Sequence, residues 1–199
     1  IGLPSGRWRS NGDSYGTFFS ESFIDELATV AGVEPLSFRM QMLGAHPRLA
    51  RCRASGAARG GWQGGVRGSG QGIACRRMRD AYIAVMVEAG FSNGRVKVSR
   101  LVAVVDCGKP VNPGIARQQI EGGMIFGLAM ALGGSPGYRN SLPARMRLAD
   151  YGLPRLGDVG DVMVEFLESS GGPISVSEIG VPPVAPALAS ALSTITGKR

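Results

Sequence analysis

A chain of 199 residues with 19% charged and 7% aromatic residues, 31 glycines and a net charge of +7 can bury a core and has the composition of a loop-rich globular protein, which excludes fibrous, low-complexity and disordered chains. No uninterrupted apolar run reaches the roughly 18 residues that a membrane-spanning helix requires. The charge is arginine, with lysine only at Lys97, Lys109 and Lys198, and the one dense cluster, Arg76-Arg77-Met78-Arg79, lacks the interleaved aromatics of a single-strand platform; this argues against nucleic acid and leaves phosphate groups or an acidic partner as the arginines' targets.

The stretch Ile1-Gly2-Leu3-Pro4-Ser5-Gly6 has no starting methionine, basic region or apolar signal core. It reads as the interior of a longer protein, and residues upstream are expected to belong to the functional unit. Trp8-Arg9-Ser10-Asn11-Gly12-Asp13-Ser14 is a polar turn. Ser22 with Asp25 resembles a capping box that opens a helix, with Phe23, Leu27 and Val30 or Ala31 at core-facing spacing and Gly32 as its stop. Pro35 starts a second helix with Leu36, Met40 and Leu43 on one face, ended by Gly44. His46, beside Pro47, reads as a surface residue.

From Ala45 to Gly72 the pattern dissolves into Arg, Gly, Ala and Ser with one apolar anchor, Trp62. This predicts an irregular boundary, dividing the chain into a helical segment over 1–60 and an α+β segment over 61–199. Gly68, Gly70 and Gly72 precede a strand and lack the G-x-G-x-x-G register of a dinucleotide loop.

Tyr82 to Glu88 and Val96 to Asp106 are β-rich runs separated by Phe91-Ser92-Asn93-Gly94, a strong hairpin signal. Strict alternation puts Val96, Val98, Val102 and Val104 on one face and Leu101, Ala103 and Val105 on the other, with the far half covered twice. Asn112 can cap the next helix and Pro113 open it. Within that helix Gly122, Gly123 and Gly127 remove side chains on consecutive turns, each costing about 1 kcal/mol, so close approach is expected there, by a ligand or by packing. Gln119 beside them offers donor and acceptor atoms. After an irregular stretch from Gly133 to Gly160, holding Asp150-Tyr151 and Arg155, a last strand over Val162 to Glu168 leads through Gly171-Gly172-Pro173 to Glu178. The fold class is α+β, a mixed or antiparallel sheet with packed helices.

Glu178 is the only ionisable side chain between Glu168 and Lys198. An acid in an apolar, proline-rich run is either paired or protonated when buried, and either state suits proton transfer; the alternative is an acid capping a surface turn. Pro186 predicts a first helical position, with free amides that could face an anion. Three cysteines, Cys52, Cys75 and Cys107, form no closely spaced pair and read as buried free thiols, so the chain alone holds neither a zinc site nor an iron–sulfur cluster.

Taken in order, Gly6-Arg7-Trp8-Arg9-Ser10, Phe18-Phe19-Ser20-Glu21-Ser22-Phe23-Ile24-Asp25-Glu26-Leu27, Val105-Asp106-Cys107-Gly108 with Val111-Asn112-Pro113, Gln119-Ile120-Glu121-Gly122-Gly123, Asp150-Tyr151, and Glu178 with Gly180-Val181-Pro182-Pro183 resemble the molybdopterin-binding large subunit of molybdenum hydroxylases. Within the xanthine dehydrogenase and aldehyde oxidase family, the resemblance is to the C-terminal part of the isoquinoline 1-oxidoreductase beta subunit. It implies molybdenum on a pterin dithiolene, in bacterial members commonly the molybdopterin cytosine dinucleotide form. It implies hydroxylation of an N-heteroaromatic or an aldehyde with oxygen from water, and electrons leaving through an iron–sulfur small subunit. The same resemblance matches Glu178 to the general base and Gln119 to a pterin contact. Gly122 and Gly123 would admit the cofactor, and Arg9, Ser10 and Asn11 match a loop beside the metal whose third position shapes the substrate pocket.

Ser177 matches a cofactor-contacting position beside the acid. Where the family reads Gly-Glu-Pro-Gly, this chain has Ser177-Glu178-Ile179-Gly180, which adds a hydroxyl and a β-branched side chain and could take space beside the metal. Bacterial cytoplasm and periplasm stay open as compartments. The alternatives are a truncated or degenerate remnant without catalysis and a basic scaffold protein.

Overall fold

The computed structural model describes residues 6–133, 135 and 137–198; the reading of Ile1–Ser5 as interior sequence lies outside them. The elements run α1 (Gly12–Ala31), α2 (Pro35–Met42), α3 (Pro47–Gly60), β1 (Gln71–Met78), β2 (Ala81–Ser92), β3 (Arg95–Asp106), α4 (Pro113–Gly133), the short β4 (Tyr138–Arg139) and β5 (Leu142–Pro143), β6 (Val159–Phe166) and α5 (Val184–Thr196). Among these helices none is long and apolar enough to cross a membrane.

Asn93 and Gly94 take φ values of 50° and 72°, the left-handed pair that a two-residue hairpin needs, and so β2 and β3 close as the sequence predicts. The main sheet has the order β1-β2-β3-β6, antiparallel at the first two pairings and parallel between β3 and β6. Helix α4 makes the crossover that a parallel pair requires.

Both faces of the sheet are covered. Ile120, Met124 and Leu128 of α4 and Val184, Leu188 and Ala191 of α5 pack on Ile83, Val85, Val87, Leu101, Ala103 and Val105. Helix α3 covers the opposite face, with Cys52 against Ala84 and Ala57 against Met86 and Val102. Along β6 and the residue after it, Val162, Val164 and Phe166 face the α4 side and Met163 and Leu167 the α3 side, the predicted alternation.

The valines of β3 depart from strict alternation. The pairing steps from Glu88↔Arg100 to Ala89↔Val98, which leaves Ser99 as an extra residue, and one extra residue reverses the facing of all that lies beyond it. Val96 and Val98 therefore join Leu101, Ala103 and Val105 rather than Val102.

The irregular reading of 45–72 is corrected by α3. Its buried positions are Cys52, Arg53, Gly56, Ala57 and Gly60, a helical stripe made of small residues. A Cβ on Gly56 would stand 3.3 Å from that of Ala84, so the helix lies close on the sheet without the large apolar residues that mark an amphipathic pattern.

Helix α1 is also corrected. It starts at Gly12, ten residues before the expected capping box, and buries Thr17, Glu21, Asp25 and Ala28. The residues expected in the core face outward, with Phe23 59%, Leu27 38% and Val30 87% exposed. The buried polar face is matched by arginine. Glu21 accepts Arg39 Nε at 3.1 Å and Arg53 Nη2 at 2.8 Å, Arg39 also pairs with Asp25, and the Cys75 thiol donates to Glu21 at 3.5 Å.

Glu34 caps α2, accepting from the amides of Leu36 and Ser37 and from Trp62 Nε1 at 2.9 Å. Burial acts to raise its carboxyl, and the bonds from Ser37, Leu36 and Trp62 outweigh it and hold the group below the usual range. Cys52, Cys75 and Cys107 are buried free thiols and His46 is exposed. Among the described residues no cluster of histidine, cysteine or carboxylate could hold a metal ion.

Candidate functional site

The acid-bearing segment is positioned from both sides. At its start, the amide of Lys109 bonds Gly171 O at 3.1 Å and that of Ile174 bonds Cys107 O at 3.0 Å, so main-chain bonds tie this segment to the residues that follow β3. Gly108, at φ 70°, lies under this crossing, where a Cβ would stand 2.7 Å from Gly171 O. Asp106 closes the same end. Arg48 grips it with bonds of 2.8 and 2.6 Å and stacks 4.4 Å from the centre of the Tyr82 ring. That guanidinium bond, with the Gly108 amide, holds the Asp106 carboxyl below its ordinary value against the effect of burial. The Asp106-Cys107-Gly108 motif is thus a structural joint.

Beyond Glu178 the chain turns against α4. A Cβ on Gly180 would stand 2.6 Å from Ile120 O, one on Gly123 3.3 Å from the Gly180 Cα, and one on Gly127 2.6 Å from Val181 O. The close approach expected at the α4 glycines is therefore made at Gly123 and Gly127 by this chain's own backbone; of the Gly122-Gly123 pair, only Gly122 faces open space. Pro182, Pro183 and Val184 are buried, and α5 begins at Val184 rather than Pro186. Its first turn packs inward and does not present amides to an anion.

Three separate segments meet at the acid. Ser10, with φ 71°, donates its N–H to Glu178 Oε1 at 3.3 Å and its hydroxyl to Glu178 O at 2.8 Å. Arg9 donates Nε and Nη2 to Ser177 O at 3.0 and 2.5 Å, and Nη2 to Gln119 O at 3.1 Å and Gln119 Oε1 at 3.4 Å. Ser177 Oγ lies 3.2 Å from Ser175 Oγ on the exposed side. Glu178 is half-buried, and its Oε2 has no partner among the described residues. The acid is thus paired, through a backbone N–H rather than a cation.

Arg9, Ser10, Gln119, Ser177 and Glu178 are brought together, with bonded pairs 168 residues apart. Asn11 stands aside. Its amide bonds Trp8 O at 2.9 Å, and it lines an open groove of about 1000 Å³ with Trp8, Tyr15, Phe18, Phe19 and Leu188. Ile179 is fully buried in the core packed by α4 and α5, so its β-branched side chain lies in that core.

Trp8 and Phe126 join the site although their motifs do not mark them as site residues. Their rings lie 5.5 Å apart, and Arg9 sits 5.8 Å from the Phe126 ring centre. The signal for Phe126 is the spacing of Gln119, Gly123 and Phe126, which places a polar group, a gap and a ring on one helix face.

Comparison with known proteins decides the family. The profile of the molybdopterin cofactor-binding domain matches residues 53–160. The beta subunit of isoquinoline 1-oxidoreductase from Brevundimonas diminuta is 30% identical over 190 residues, covering 92% of this chain and 24% of that protein. The chain belongs to the molybdopterin-binding large-subunit family of the molybdenum hydroxylases. Within it, a nicotinate dehydrogenase subunit from Pseudomonas putida is 28% identical, over 92% of this chain and 17% of its own length.

Among solved structures, quinoline 2-oxidoreductase from Pseudomonas putida 86 aligns with a TM-score of 0.50 at 28% identity, over 57% of this chain and 15% of that one. Aldehyde oxidoreductase from Desulfovibrio gigas aligns with a TM-score of 0.51 at 19% identity, over 60% and 14%, and shares the fold. The chain spans about a quarter or less of the length of these proteins.

Proposed function

We propose that this chain forms the acid-bearing wall of a molybdenum–molybdopterin site, with Glu178 as general base in the hydroxylation of an N-heteroaromatic or an aldehyde. The observation that carries the reading is the convergence of Ser10, Arg9, Gln119 and Ser177 on the segment of the lone acid. The residues fit such a group. The Gln119 amide is exposed and Arg9 engages only its oxygen, which leaves its nitrogen as a donor; the Ser177 hydroxyl and Gly122 also face the open side.

When bound, molybdenum on its pterin supplies the two-electron acceptor for the oxidation. The net change is R–H plus water giving R–OH, two electrons and two protons. Glu178 takes up one of those protons at Oε2, the oxygen left open by the Ser10 bond, and base catalysis of this kind contributes about 10²- to 10⁴-fold. Gln119 and Ser177 would hold the pterin, here expected in its cytosine dinucleotide form. Ser10 spends its N–H and hydroxyl on Glu178 and orients it. Asn11 would bear on a heterocyclic substrate from a neighbouring groove that Glu178 does not line. The relatives' names carry isoquinoline, nicotinate and quinoline, which favours that substrate class.

The working unit is larger than this chain. The outward aromatic face of α1 is the kind of surface that another polypeptide covers, in keeping with a remainder of the large subunit packed on it. An iron–sulfur small subunit would carry electrons away. The test is reconstitution with the remaining large-subunit sequence of a relative and its small subunit, followed by molybdenum and pterin analysis. Stoichiometric metal and pterin are expected, and a folded complex devoid of both would refute the reading.

A further inference from the structure

Arg9 lies along one stripe of α4. Gln119, Gly123 and Phe126 form that stripe, and the guanidinium lies over its glycine: a Cβ on residue 123 would stand 3.6 Å from Arg9 Nη2, at ordinary contact distance. The Phe126 ring flanks it at 5.8 Å. From this seat the planar fork reaches two different carbonyls, those of Ser177 and Gln119, and the Gln119 amide oxygen. An arginine can do this because its donors are fixed in one plane; a lysine ammonium is a single point charge.

We propose that Arg9 is a positioning residue that does two things at once. It fixes the carbonyl immediately before Glu178, and by donating to Gln119 Oε1 it turns the amide so that its NH₂ faces the open side as a donor. The role of each target rests on the reading of Glu178 and Gln119 as site groups given above. Arg9 itself need not touch the cofactor. Its neighbour Ser10 completes the clamp, so one dipeptide registers the N-terminal turn, α4 and the acid segment against one another.

Hydrogen exchange of the chain as it stands tests this without a cofactor. The reporters are the Ser10 amide, bonded to Glu178 Oε1, and the Val181 amide, bonded to Glu178 O at 3.1 Å. In Arg9→Ala both are expected to exchange about tenfold faster, with β2 and β3 amides unchanged as the control for folding. Arg9→Lys should recover only part of the protection. Wild-type exchange at both reporters in Arg9→Ala would overturn the proposal.

In the reconstituted complex, Arg9→Ala is expected to keep its molybdenum and KM while kcat falls about tenfold. Loss of molybdenum together with unchanged exchange would make Arg9 a direct cofactor ligand and overturn the positioning role. A complex that takes up no molybdenum in any variant would refute the functional reading alone, since the exchange result still decides what Arg9 holds.

Discussion

Ser10 holds Glu178 at two points, by its N–H to the carboxylate at 3.3 Å and by its hydroxyl to the main-chain carbonyl at 2.8 Å. Its φ of 71° is the left-handed conformation that L residues seldom adopt, and such strain persists where the surroundings over-determine it. Ser10→Ala removes the hydroxyl bond and keeps the strain, and should destabilise the chain by about 1 kcal/mol. Ser10→Gly also loses the bond but relaxes the backbone, and should cost less. Urea unfolding of the two variants checks the order.

The glycines at the contact between α4 and the acid segment divide by what faces them. Gly180→Ala would drive a methyl group toward Ile120 O, at 2.6 Å, in backbone that cannot yield cheaply, and a loss of about 2 kcal/mol or more is expected. Gly122 meets nothing within 4 Å, so Gly122→Ala should stabilise α4 by up to about 1 kcal/mol. Thermal melts of the pair should move in opposite directions.

The buried charges of α1 give a third test. Glu21, Arg39 and Arg53 are 6%, 2% and 1% exposed, and neutralising Glu21 takes the paired carboxylate from Arg53 and leaves Arg39 with Asp25 alone. Glu21→Gln should cost about 3–5 kcal/mol. An exposed-face change such as Phe23→Ser should leave the stability of this chain nearly unmoved while weakening its association with the remaining large-subunit sequence. Denaturation and pull-down titration separate these effects.

Acid sensitivity follows from Asp106 and Glu34, both held below their ordinary values. For a depressed carboxyl the stabilisation is complete above the unfolded pKa, 3.8 for Asp106 and 4.5 for Glu34, and is lost as pH falls through the lower folded value. Unfolding midpoints should therefore drop on going from about pH 5 to about pH 3. Asp106→Asn should flatten part of that slope and lower stability at neutral pH, since Arg48 loses its charged partner. Urea titrations at several pH values check both.

Much of the scaffold was legible because local chemistry and tertiary packing agree there. Asn93-Gly94 demands a hairpin whatever surrounds it, Asn112-Pro113 opens α4, and β6 alternates cleanly. Three features were not legible. The stripe of α1 has the same period whether it faces a core or another polypeptide, so Phe23 and Val30 read as core. Helix α3 packs through Cys52, Gly56 and Gly60, whose small side chains give no apolar stripe. The extra residue at Ser99 reverses the facing of β3 without any change in composition.

At the site, the lone acid and its companions could be named from their motifs. What holds them could not. The bonds from Arg9 and Ser10 depend on a turn conformation that the sequence does not spell out, and the inward turn of Ile179 depends on how close Gly180 comes to α4.

The central claim is that Glu178 is the base of a molybdenum hydroxylase site, and Glu178→Gln in the reconstituted complex tests it most directly. The amide preserves size and can still accept the Ser10 N–H, but it cannot take up a proton. With molybdenum content equal to that of the wild type, kcat is expected to fall by about 10²- to 10⁴-fold. Turnover retained at the wild-type rate in the metal-loaded variant would contradict the assignment.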